Sequence, residues 1–372
     1  MTVIAAIYPA EGLPLFLCDT LISIESEPRG HVAGPAGLIT PPPPGSKYKP
    51  VALQQKTIIL RPTVFLAYCG KTLIGTIIFR RVDKALAGID APTLAQVAAI
   101  LEESVEDLQQ HDTAILGAVI EDGKCFHLSY GTGFQDVTLE DGTTLIVNGS
   151  GSSALLDLFE VCWAGKFASM TADHLPHHRD VFRAFAMVSE VSSYESIMAE
   201  HKADFGAIVE ILRATTIGFE KLPSATIVTE LISFQPDQMT VHAGNYLNYV
   251  NDGDLIVYRR FGDIRREKMT EIFGTDYIAG TINPPTRSVS KSEETDAVER
   301  LISRAEFNDS VIQAISWSNP SDLPNRRLTL GEPNWADFRI ARDGDHFSVF
   351  RSHAFMEKLA KRFGVSKVIR LP

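Results

Sequence analysis

Four short, apolar, β-prone runs open this chain: TVIAAIY, LPLFLCD, KTIILR and TVFLAYC. The last two are separated by Pro62, which suits a tight connection. Helical periodicity then takes over. A first helix is predicted from Lys71 to about Leu86, with Leu73, Ile74, Ile77, Ile78 and Val82 on one face. A second starts near Thr93, behind Pro92, with Leu94, Val97, Leu101 and Val105 as its stripe. Strand patterns return in TAILGAVIED, KCFHLSY and TTLIVNGS, the first two joined by the hairpin signal Asp122-Gly123. Helices are expected from about Ser152 to Trp163 and within 179–200, and the strands AIVEIL and SATIVTELISF close this part. This order suits an α+β fold: a four-layer αββα sandwich, two antiparallel sheets face to face with helices on both outer sides.

Charge divides the chain. From Pro236 onward 19 acidic residues are balanced by 19 basic ones, so the whole net charge of −11 falls on the first 235 residues. We therefore expect one domain over 1–235, with a proline-rich insertion at about 24–50, and a mixed α/β module of unknown role over 236–372. The acidic N-terminal part argues against a nucleic-acid partner. No apolar stretch is long enough to span a membrane, and no signal peptide is visible. Cys18, Cys69, Cys125 and Cys162 form no CxxC pair, which fits reduced thiols in a cytoplasmic protein. His174, His177 and His178 cluster without a fourth ligand, so no metal is expected. No cofactor is called for.

Thr2 would lead the chain once Met1 is removed. A threonine with a free α-amine carries both a nucleophile and its base. Asp19 ends the second strand, where a hairpin would return it to the chain start. Lys56 precedes the third strand. An ammonium near the α-amine lowers that amine's pKa by like-charge repulsion, and Asp19 would hold the lysine there. Gly70, between strand and helix, would let a backbone N–H approach a carbonyl. NGSGSS at 148–153 is a strand-to-helix turn that offers Ser150 to the amine.

The pieces TVIAAI, LFLCDT, KTIIL, VFLAYCG and LIVNGSGSSALLDLFE resemble a proteasome β-type subunit, or the related bacterial two-ring threonine peptidase, over about residues 2–235. The resemblance implies an N-terminal nucleophile hydrolase that cleaves amide bonds in peptide or protein substrates through an acyl ester on Thr2. It gives Asp19 and Lys56 the supporting carboxylate and lysine, Gly70 the oxyanion N–H, and Ser150 the place beside the amine. Asp204 matches the family's other supporting aspartate, and Tyr68 the floor of the pocket for the side chain before the cut bond, with a place in the sheet core as its other reading. It further implies a homo-oligomer, with any regulatory ATPase unknown. The alternative is an inactive relative that serves as a binding or assembly module.

Overall fold

The computed structural model describes residues 3–24, 33–34, 37–38, 49–153, 155, 156, 159, 208–221, 224–235, 238–268, 271–303, 310–319, 322–331, 338–343 and 346–351. The chain is mixed α+β, with several sheets, most of their strand pairs antiparallel, and few helices.

The opening strands β1 (Val3–Tyr8) and β2 (Leu15–Asp19) form a hairpin in which Ile4 lies opposite Cys18. They are central in a six-stranded sheet. One side is completed by β11 (Gln135–Thr138) and β12 (Thr144–Gly149), the other by β13 (Val209–Ala214) and β14 (Phe219–Lys221). The residues of β1 from Val3 to Ile7 are all buried, alternating between two cores. Val3, Ala5 and Ile7 join one cluster, and Ile4 and Ala6 the other. Burial on both faces explains an unbroken apolar run where a half-exposed strand would alternate.

The second sheet has the order β10-β9-β8-β7, from β7 (Thr57–Arg61), β8 (Val64–Cys69), β9 (Ala114–Glu121) and β10 (Lys124–Tyr130). Asp122 and Gly123 turn β9 into β10 at φ +50° and +71°, as the hairpin signal predicts. The inner face of this sheet packs Phe65, Ala67, Cys69, Leu116 and Ala118 against Ile4, Ala6, Phe16 and Cys18 of the first. Its outer face is covered by helices α1 (Thr72–Ala85), α2 (Leu94–Glu102) and α3 (Val105–Gln110). A capping box between Thr93 and Gln96 starts α2.

The face of α1 is rotated from the one its periodicity suggests. Gly75, Ile78, Phe79 and Val82 are buried, whereas Leu73 and Ile77 are exposed. The cause is Tyr68, whose ring lies under Gly75: a Cβ there would sit 2.3 Å from its Cγ. Gly75→Ala gains about 1 kcal/mol in helix propensity but overpacks a core site, which typically costs about 1–3 kcal/mol or more. We expect net destabilisation, read as a lower urea midpoint at unchanged slope.

The predicted strand SATIVTELISF does not close the first part. It is β15 (Ser224–Gln235), central in an eight-stranded sheet with β16 (Gln238–Asp252), β17 (Leu255–Lys268), β18 (Glu271–Ile282), β19 (Ser310–Asn319), β20 (Asp322–Gly331), β21 (Phe338–Asp343) and β22 (His346–Arg351). Hairpin pairing with β16 and a parallel ladder with β19 place it there. Tyr249, Ile256, Tyr258 and Ile282 of this sheet pack with Leu155 and Phe159 against the outer face of the first sheet. The proline-rich insertion leaves and returns through β3 (Leu21–Ile24) and β6 (Lys49–Leu53), an antiparallel pair. The expected helix within 179–200, the prolines at 41–44 and the histidine cluster lie outside the described residues. Among the described residues, no helix is long and apolar enough to cross a membrane.

Candidate functional site

The β1–β2 hairpin puts Asp19 beside the chain start. Its Oδ1 accepts the N–H of Val3 at 3.0 Å and the Lys56 ammonium at 2.8 Å. Lys56 Nζ also donates to the Leu21 carbonyl at 2.5 Å. Both side chains of the ion pair are completely buried. That excludes a solvated edge lysine. A buried pair persists only when its charges meet each other and further hydrogen-bond partners, and these two do.

The backbone of Lys56 is held as well. Its carbonyl accepts the N–H of Tyr68 at 3.0 Å, which ties the lysine to the strand that ends at Gly70. Its own N–H donates to Glu210 Oε2 at 3.2 Å. Glu210 is a residue the sequence reading passed over. The available signal was a carboxylate in the middle of AIVEIL, where strand alternation leaves it between two apolar neighbours in a buried strand.

Gly70 stands at the exposed end of β8 with φ +97°. A Cβ at this position would lie 2.3 Å from the Asp112 carbonyl and 2.8 Å from Thr113 Cα. Both its conformation and its space demand glycine. The next N–H, of Lys71, donates to Thr113 Oγ1 at 3.1 Å. On the other flank of β1, Gly149 is the partner of Val3, so the NGSGSS turn also reaches the chain start. Ser150 follows there and is exposed. The Ser152 hydroxyl donates to the Gly149 carbonyl at 2.7 Å, which ties the turn to the start of the helix.

Of the two readings of Tyr68, the sheet core is the one its surroundings fit. Tyr68 is fully buried, packed under Gly75 and edge-on to Phe79. It faces the helix-covered core because successive residues of β8 alternate, and Ala67 and Cys69 take the other side. Thr2 and Asp204 lie outside the described residues. Asp19, Lys56, Gly70 and Ser150 are thus brought to one end of β1, β2, β8 and β12.

Burial disfavours the thiolate at the described cysteines. Burial pushes Cys18 well above the ordinary thiol range and Cys69 up to about 12. Burial also pushes Cys125 up to about 12. A neutral buried thiol is a poor nucleophile at neutral pH. Among the described residues no cluster of His, Cys, Asp and Glu could hold a metal ion. No protein-family model matches the chain, and no curated protein matches it.

Proposed function

We propose that the chain is a threonine-type N-terminal nucleophile hydrolase, resembling proteasome β-type subunits and acting on peptide bonds. One observation carries the reading: a buried chain of hydrogen bonds from Val3 N–H through Asp19 to the Lys56 ammonium, one residue from Thr2. Two face-to-face sheets with helices outside one support a layered αββα reading, and outside the other Leu155 and Phe159 share the surface with Tyr249, Ile256, Tyr258 and Ile282 of the eight-stranded sheet.

On this reading Thr2 Oγ, freed by loss of Met1, attacks a carbonyl and its α-amine takes the proton. The Lys56 ammonium disfavours protonation of that amine, whose ordinary pKa is about 7.7–8.0. The Gly70 N–H receives the oxyanion. Ser150 bonds the amine, and water releases the acyl group from the ester. The protein works in the cytoplasm as a homo-oligomer, for which Leu73 and Ile77 offer exposed apolar contacts on α1. Thr2→Ala should abolish hydrolysis of fluorogenic peptides, measured beside the wild type. Residual hydrolysis at the wild-type rate, or none in the wild type across a broad peptide panel, would count against the proposal.

A further inference from the structure

Glu210 has no part in the chemistry just described, yet it grips the residues that do. It sits on β13 opposite Cys18 and is buried. Its Oε2 accepts the N–H of Lys56 at 3.2 Å. Its Oε1 accepts the Thr57 hydroxyl at 2.6 Å and the Lys221 ammonium at 2.7 Å. The same ammonium donates to Gln55 Oε1 at 2.5 Å. Gln55 Nε2 in turn donates to the carbonyls of Asp254 and Ile282 at 2.7 and 2.8 Å. Three consecutive residues, Gln55, Lys56 and Thr57, are therefore bound to one carboxylate–ammonium pair.

The charges explain the arrangement. Two carboxylates, Asp19 and Glu210, and two ammoniums, Lys56 and Lys221, pair off around residues 55–57. Each carboxylate has its own cation, so Lys56 is left to Asp19 and is not drawn to Glu210. Lys221 meets solvent at the wall of a groove of about 570 Å3 that Gln55, Thr57 and Pro284 also line. Buried structural ion pairs are common enough, but this one bonds the main chain of Lys56, whose own buried ammonium meets Asp19.

We propose that Glu210, with Lys221 as its counter-charge, is a positioning residue that fixes the main chain of Lys56 and so aims its ammonium at Asp19. The assignment rests on the hydrolase reading of the site. It acts through Lys56 and touches no substrate.

The test is the double variant Glu210→Gln/Lys221→Met, which removes both charges with little change in shape. A peptide epoxyketone serves as probe, with the rate of capture at Thr2 followed from pH 5 to 9 by intact mass. We expect the variant to fold, to be captured about tenfold more slowly, and to show a capture midpoint at higher pH, because Lys56 no longer holds the amine neutral. Lys221→Arg, which keeps the cation beside Glu210, should retain the wild-type profile. In 15N-lysine-labelled protein the Lys56 amide, assigned through Lys56→Arg, should move upfield in the double variant as the charged acceptor is lost. Wild type captured while the double variant matches it in rate and midpoint would overturn the proposal and leave the hydrolase reading standing. An unmoved Lys56 amide would overturn it as well. Wild type that is never captured would remove the hydrolase reading itself.

Discussion

Lys56→Met should eliminate capture of Thr2 by electrophiles and lower folding stability by about 3–5 kcal/mol. The stability loss arises from Asp19. Its carboxylate is fully buried, and the Lys56 ammonium at 2.8 Å is its counter-charge. Removing that partner takes the 2.8 Å ammonium away from a buried charge, and the neutral Val3 N–H that also meets Asp19 compensates such a loss poorly. Chemical denaturation of wild type and variant reads the difference directly. The two effects separate in a second protein. Lys56→Met/Asp19→Asn has no unpaired charge, so much of the stability should return. Reactivity should not, because the ammonium beside the α-amine is still missing. Recovery of both together would mean that Lys56 matters to the fold alone.

Gly70→Ala should reduce capture and any peptide hydrolysis by about 100-fold or more, the usual loss when one oxyanion donor is displaced. A side chain at φ +97° is strained, at a cost of about 1–3 kcal/mol. Its Cβ would also meet the Asp112 carbonyl at 2.3 Å. Backbone atoms form that wall, so relief must come from the Gly70 peptide itself, and its N–H turns away. Thermal unfolding should register a moderate loss against a much larger loss of rate. A variant that keeps the wild-type rate would take Gly70 out of the mechanism.

The hairpin of β1 and β2 was plain in the sequence because both runs are apolar and the link between them is short. Its register then carried Asp19 to Val3. The β9–β10 turn was equally readable, since Asp122-Gly123 supplies the two positive φ values it needs. Other features depend on partners distant along the chain. The buried face of α1 could not be read from periodicity, because Leu73 and Ile77 are as apolar as the residues that pack. What selects the face is the fit of Gly75 over Tyr68. Pocket floor or sheet core stays open for Tyr68 in the sequence, because only the fold shows which side of β8 the helices cover. Glu210 was overlooked because its meaning lies in Lys56, Thr57 and Lys221, which are separated from it by 154, 153 and 11 positions. The strand β15 suits either neighbouring sheet by composition, and long-range pairing with β19 decides it.

Activation of Thr2 as a nucleophile is tested by the intact mass of the full-length protein, untagged at its N-terminus, before and after treatment with a peptide epoxyketone. Loss of Met1 and one stoichiometric adduct, mapped to Thr2, are the expected result. Retained Met1 with no adduct would contradict it and leave a buried Asp19–Lys56 pair without the chemistry assigned to it.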